Sequence, residues 1–241
     1  MKAKIISLLA ALIFSVTVFA QSFSVGFRTG ANLSNYQSDY DYDLYSNVLT
    51  KTNTGFTAGV FANIPMFENF SLQPEINYIE KGAKVYPRQD VYMSRNETTW
   101  RYLEIPVLAK YRITSDKGNF YLSGGPFAGY AMSAVQDLQN WPSDGGEGGI
   151  NRISDDNLKY NFRSDYDTNG QKDNRFDFGL AVGAGVEFNV GPGQFLLDAR
   201  YGWDLTDNVQ FQNGTPDNYP GTFHRDFSIT AGYAFPIGGN K

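Results

Sequence analysis

The only histidine of the chain stands in a period-two series with two residues that occur in hydrolase active sites. His224, Asp226 and Ser228 are spaced two apart, so all three would lie on one face of a strand. A catalytic serine needs its base within hydrogen-bond reach and an oxyanion site beside it. Residues four apart on a strand are separated by roughly 13 Å. We therefore expect polar lumen residues here and no enzyme.

A second pattern matches the first half of a calcium-binding loop. The residues are Asp165, Asp167, Asn169, Gly170 and Asp173. Oxygen ligands at alternate positions and a glycine for the sharp turn are what a hard cation requires. However, Phe176 stands where the twelfth residue of such a loop should be glutamate. Asp, Asn and Gly are also ordinary loop residues, so the sequence favours a solvated loop, and calcium is the only cofactor for which it contains a pattern.

A tyrosine-rich segment could provide recognition chemistry. It contains Tyr36, Tyr40, Tyr42 and Tyr45 among Asp39, Asp41 and Asp43. Tyrosine-rich loops favour contacts with a protein or a glycan. The alternative is a surface loop that packs on its own domain.

Composition excludes several classes of protein. The chain has 20 basic and 25 acidic residues, and this balance argues against a nucleic-acid partner. It has no cysteine, so neither disulfides nor a thiolate metal site can stabilise it. No apolar window of 18 residues follows residue 20, which excludes helical membrane spans. The aromatic residues, 16% of the chain, must then be concentrated on particular faces.

Eight segments alternate between apolar and polar residues, and a period of two predicts strands. The segments are 23–32, 55–64, 70–78, 102–111, 120–130, 176–188, 195–205 and 227–235. The glycine-rich segment 120–130 gives no assignment of its two faces. Pro74 and Pro106 lie inside two strands and predict local bulges, because proline cannot donate to the ladder.

The polar face of these strands distinguishes a membrane barrel from a soluble one. A water-facing surface needs interspersed Lys and Glu, whereas this face is dominated by glycines, which suit a narrow, crowded lumen. The apolar face should then meet lipid. Isolated charges in a lumen are costly, so we expect them to pair across it. The predicted network consists of Arg28, Glu75, Glu104, Lys110, Asp177, Glu187, Asp198 and Arg200.

Connection lengths alternate as well. The turns 65–69, 113–119 and 189–194 are short, and the connections 33–53, 82–98, 131–174 and 206–222 are long. Membrane barrels place short turns in the periplasm and long loops outside. The sequence thus predicts an all-β, eight-stranded antiparallel up-and-down transmembrane β-barrel with four long outer loops and three short periplasmic turns.

The first twenty residues have the layout of a secretory signal. Lys2 and Lys4 precede an apolar run from Ile5 to Phe19, and Val18 and Ala20 are the small residues that a signal peptidase requires. We interpret residues 1–20 as a signal peptide and residues 21–241 as a single barrel domain located in the outer membrane.

Six segments of the chain together resemble those of a known protein family. They are LQPEINYIEKGAK (72–84), YLEIPVLAKYRI (102–113), LSGGPFAGY (122–130), FDFGLAVGAGVEF (176–188), LLDARYGWDLTD (196–207) and SITAGYAFPI (228–237). Together they resemble the PorT-type outer-membrane β-barrel domain family, and the Leu-Glu-Ile-Pro strand is the most specific piece. The resemblance implies an outer-membrane barrel. It implies less about function, because the family is mixed and its PorT branch is linked to protein secretion.

Three functions follow from these observations. The leading hypothesis is a non-enzymatic barrel that contacts another macromolecule through its outer loops or rim. Apart from outer-membrane lipid, its partner would be an envelope or secretion protein or a surface glycan. A passive pore for small solutes is the alternative, although eight strands leave an interior only wide enough for side chains. A lipid-modifying enzyme rests on His224 alone.

Replacing Arg200 by Met should destabilise the barrel by about 3–5 kcal/mol, because the change would leave a lumen carboxylate without its partner. The same change at Arg152, in a predicted loop, should have almost no effect. The free energy of unfolding, measured in detergent or lipid, checks both values. If neither substitution lowers it, the assignment of this strand face to the lumen is wrong.

Overall fold

The computed structural model describes residues 23–37, 48–87, 93–115, 118–141, 154–160, 162, 165, 170–216 and 221–238. Eleven strands occur in this part of the chain. They are β1 (Phe23–Gln37), β2 (Val48–Phe67), β3 (Phe70–Pro87), β4 (Met93–Ser115), β5 (Gly118–Trp141), β6 (Ser154–Tyr160), β7 (Gln171–Asp173), β8 (Phe176–Val190), β9 (Gly193–Asp204), β10 (Val209–Phe211) and β11 (Phe223–Ile237). No helix among the described residues is long and apolar enough to cross a membrane. The predicted signal peptide lies outside them.

Eight of the strands close into one antiparallel barrel. The order is β4-β3-β2-β1-β11-β9-β8-β5, and β4 pairs with β5 to complete the ring. Strand β6 pairs with the far end of β5, while β7 and β10 form a separate two-stranded sheet. The predicted eight-stranded antiparallel barrel is confirmed.

The two faces of the barrel have the chemistry of a membrane protein. Large apolar side chains, such as Val182 and Phe178, point outward and are exposed, while their strand neighbours Ala181 and Gly179 point into the lumen and are buried. Aromatic residues mark both ends of the apolar belt. They include Tyr111, Phe120, Phe188 and Phe235 near the short turns, and Tyr130, Phe176 and Trp203 near the long connections. Such girdles lie at the two interfaces of a bilayer.

The strands are longer at one end than the alternation predicts. Connection 33–53 contains the end of β1 and the start of β2, and connection 82–98 contains the end of β3 and the start of β4. Connection 131–174 contains part of β5 and all of β6 and β7, and β10 lies within 206–222. Beyond the membrane no lipid requires an apolar outer face, so the period of two is lost although backbone pairing continues.

Pro74 and Pro106 interrupt pairing without producing the predicted bulges. Between β3 and β4 the ladder stops after Pro74 and resumes at Asn77, with equal numbers of residues on both strands. Bulges occur instead in β2, between Thr52 and Thr57 and between Pro65 and Phe67, and in β5, where Met132 is the extra residue opposite Arg101 and Tyr102. A proline removes one donor, and that loss alone inserts no extra residue.

The glycines of the inner face make room for aromatic rings. A Cβ atom on Gly179 would overlap the ring of Phe127, and one on Gly185 would overlap the ring of Tyr121. Both rings belong to β5, whose faces the sequence leaves unassigned; the structure places Tyr121 and Phe127 inside and buried. The lumen is therefore a packed core in which rings from one strand lie against glycines of the next.

Candidate functional site

All eight residues of the predicted lumen network lie on the inner face of the barrel. Each is buried or nearly so, and they come from five strands: Arg28 from β1, Glu75 from β3, Glu104 and Lys110 from β4, Asp177 and Glu187 from β8, and Asp198 and Arg200 from β9. The structure separates them into three clusters along the axis. These are a periplasmic, a central and an outer cluster, where "outer" means the end with the long connections.

The central cluster is built around Glu75, whose side chain is fully buried. Its carboxylate accepts hydrogen bonds from Arg28 and from both terminal nitrogens of Arg200, at 2.9 and 3.3 Å. Asp198 lies 3.5 Å from Arg28 and 3.4 Å from Arg200, and it accepts a hydrogen bond from the Tyr121 hydroxyl at 2.8 Å. Two guanidinium groups thus face two carboxylates, so the charges balance.

The periplasmic cluster closes the lumen near the short turns. Lys110 donates to Glu187, and Arg112 donates to the other oxygen of the same carboxylate at 2.9 Å. Lys110 also lies above the Tyr121 ring, 3.9 Å from its centroid. Arg112 was not among the predicted residues, although it continues the inward series of Lys110 by two positions.

The outer cluster is centred on Lys81, which was not among the predicted residues. The ammonium group of Lys81 is inaccessible to solvent and is surrounded by four carboxylates. The distances from Nζ are 2.5 Å to Glu104, 3.1 Å to Asp204, 3.3 Å to Asp226 and 3.5 Å to Asp177. Lys81 lies three residues beyond the predicted end of the third strand, and extending the inward series from Glu75 and Asn77 reaches it. Asp204 likewise continues the inward series of Asp198, Arg200 and Gly202.

A layer of aromatic rings covers the outer cluster. The His224 ring is fully buried and meets Tyr36, Tyr102 and Trp100 edge-on, with centroid distances of 5.0, 5.7 and 6.1 Å. Trp100 stacks on Tyr102 at 6.1 Å and packs against Phe162 at 5.1 Å. This aromatic layer separates the outer cluster from the space outside.

Little free volume remains between the clusters. A cavity of about 20 Å³ lies between the central and outer clusters, bounded by Arg200, Glu104 and Thr230 among others. This is about the space that one water molecule needs. A larger cavity of about 500 Å³ opens at the periplasmic end, where Arg112 and Asn189 line it.

The other candidate residues are only partly described. Tyr36 belongs to β1 and packs on His224, so it is not a loop residue; Tyr40, Tyr42 and Tyr45 lie outside the described residues. Asp226 and Ser228 point into the lumen as expected, but Asp226 contacts Lys81.

The structure describes only some residues of the predicted calcium loop. Asp165 is exposed and Asp173 is buried in β7, whereas Asp167 and Asn169 fall outside the described part of the chain. Within the part that is described, no three acidic or histidine residues are arranged to hold a metal ion. The calcium site therefore stays a prediction.

Comparison with known proteins agrees with this geometry. A family model for the outer membrane protein beta-barrel domain matches residues 19–210. The chain belongs to this family. Its barrel is therefore an outer-membrane barrel, with the apolar belt in the lipid. No curated protein sequence matches significantly.

Solved outer-membrane barrels have a similar fold. The protease OmpT of Escherichia coli has a TM-score of 0.51 and 11% identity, over 90% of this chain and 97% of its own. Ail, the attachment invasion locus protein of Yersinia pestis, has a TM-score of 0.41 and 17% identity, over 89% of this chain and 100% of its own. OprG of Pseudomonas aeruginosa has a TM-score of 0.44 and 11% identity, over 90% and 98%. At such identities the likeness concerns the fold alone.

Replacing Lys81 by Met should destabilise the barrel by about 3–5 kcal/mol, because four buried carboxylates would lose their shared cation. Lys84→Met is the matched control: Lys84 pairs with Glu97 at the partly exposed surface, so its loss should cost about 0–1 kcal/mol. Adding Asp204→Asn to Lys81→Met should recover part of the loss, since one uncompensated charge disappears. Unfolding in detergent measures all three, and a harmless Lys81→Met would contradict the outer cluster.

Proposed function

We propose that this barrel is a non-enzymatic recognition protein that contacts another macromolecule outside the cell through a sheet raised above the outer membrane. The observation that carries the proposal is the unequal height of the barrel wall. Strands β4 and β5 have 23 and 24 residues, whereas β9 has 12. A tilted 24-residue strand covers roughly 55 Å along the barrel axis, about twice the apolar band, while 12 residues cover roughly 28 Å.

The extra length forms a continuous structure on one side of the barrel. We name it the raised sheet: residues 48–53, 82–87, 93–100, 132–141 and 154–160. Its strands stay paired to their tips, as Val48 opposite Pro87, Met93 opposite Trp141 and Asn140 opposite Ser154 show. None of this sheet is needed to cross the membrane. A stable platform outside the lipid suits contact with a partner.

The surface chemistry of the raised sheet fits a hydrated contact. Lys51 and Thr52 are exposed, and Lys84 forms a partly exposed ion pair with Glu97 at 3.1 Å. Polar, solvated rims of this kind are typical of non-obligate interfaces with proteins and of glycan contacts. The partner classes are thus an envelope or secretion protein, or a surface glycan. The resemblance to PorT-type segments favours the secretion accessory.

The interior argues against the two other functions. A solute that crosses the barrel would have to displace the ion pairs of all three clusters and the aromatic layer, while the space between the central and outer clusters is about 20 Å³. A lipid-modifying reaction at His224 would need a substrate to reach a fully buried ring. Both features leave the outer surface as the place of function.

A photo-reactive amino acid placed at Lys51 or Thr52 should form a discrete covalent adduct in intact cells, because these exposed residues belong to the raised sheet. Thr114, exposed at the periplasmic end, and Val182, exposed in the middle of the belt, are the controls and should not give that adduct. Digestion with protease or glycosidase identifies its class. Adducts only from Thr114, or none from the raised sheet, would reject the proposal.

A further inference from the structure

Two arginines at the outer end of the membrane belt have no acidic partner among the described residues. Arg175 lies immediately before β8, and Arg225 lies near the start of β11. Other arginines of the barrel are matched with carboxylates: Arg28 and Arg200 with Glu75 in the lumen, and Arg101 with Glu80 at the outer surface. The guanidinium groups of Arg175 and Arg225 are therefore available to pair with an anion from outside the protein.

Arg175 is held by backbone oxygens and aromatic faces. Its Nε and Nη2 donate to the Ala131 carbonyl at 3.0 and 2.9 Å. The guanidinium lies 4.5 Å from the centroid of the Phe162 ring and 4.8 Å from that of Tyr130. These contacts fix its plane but neutralise none of its charge, and Nη1 makes no hydrogen bond within the described structure.

Arg225 is held by the same kinds of contact, two strands further around the barrel. Its Nη1 donates to the carbonyls of Asp204 and His224, both at 2.7 Å, and its Nε donates to the Gln37 side chain at 2.8 Å. The guanidinium lies 5.4 Å from the centroid of the Trp203 ring. Nη2 makes no hydrogen bond within the described structure. Each of the two sites thus presents a guanidinium that is fixed in place, has no carboxylate partner among the described residues, and has one terminal nitrogen without a hydrogen bond.

The rings beside these arginines locate them at the membrane interface. Trp203 is 52% exposed and Phe176, next to Arg175, is 59% exposed, and both belong to the outer aromatic girdle. Headgroups of the outer leaflet lie at this level. Planar guanidinium groups bind phosphate oxygens well, and an anionic lipid surface attracts each nearby basic residue.

We propose that Arg175 and Arg225 bind the phosphate groups of anionic lipid headgroups in the outer leaflet. The bound headgroups provide the missing counter-charge and anchor the outer rim at β5, β8, β9 and β11. This is the low side of the barrel, where strands β8 and β9 begin and end at the girdle. Arg175 adjoins the raised sheet, since its Nη2 also donates to the Met132 carbonyl at 3.3 Å, but the inference does not depend on the proposed function.

The test compares unfolding midpoints in vesicles of phosphatidylcholine and in vesicles of phosphatidylcholine mixed with phosphatidylglycerol. The wild-type midpoint should be higher in the anionic vesicles, by about 2–4 °C for each arginine. Arg175→Gln and Arg225→Gln should each lose about half of that gain, and the double variant nearly all of it. Arg101→Gln is the matched control and should keep the gain, because Glu80 already compensates Arg101.

Two further measurements keep the result interpretable. Arg175→Lys and Arg225→Lys retain the charge and should keep most of the gain, even if the lost hydrogen bonds lower both midpoints. Inorganic phosphate added to phosphatidylcholine vesicles should not reproduce the gain, since the proposed ligand is a headgroup. An equal gain in the glutamine double variant, no gain in the wild type, or a full gain from free phosphate would each overturn the proposal.

Discussion

The pairing of charges inside the barrel is the constraint on which the rest of the structure depends. A closed ring of eight strands turns every second side chain into a lumen that excludes most water, and a charge there is costly unless it is paired. The barrel meets this constraint with long-range contacts: Glu75 of β3 with Arg200 of β9, and Lys81 of β3 with Asp204 of β9. These pairs join opposite walls, so the barrel has a core although its apolar side chains face lipid.

Glycine is the second component of that core. A lumen lined only by charged side chains would leave gaps, and aromatic rings from β2 and β5 fill them because glycines on neighbouring strands have no Cβ atom to obstruct the rings. At the outer end of the lumen, the inward-facing rings of Trp100, Tyr102 and His224 form the aromatic layer. Packing and ion pairing thus close the lumen together, and the surfaces that remain for function are those above and around the barrel.

Much of the fold follows from the sequence because lipid enforces a period of two. The strand pairings and the inward placement of Glu75, Lys110 and Arg200 could be predicted in this way. The pattern stops where the strands leave the membrane, so the sequence does not show that β4 and β5 continue as a raised sheet. It also places Lys81 at the edge of a loop, since the apolar series ends at Tyr78. That Lys81 lies among four carboxylates depends on the register of five strands, which no local pattern contains.

The central claim is that the interior of this barrel is a closed core in which buried carboxylates hold each described lumen cation. Single-channel recording of the intact, purified protein in planar bilayers tests it most directly. The account predicts no steady conductance, because ions would have to pass the three charged clusters and the aromatic layer. Large, reproducible openings from the intact protein would contradict the account and would favour a passive pore for small solutes.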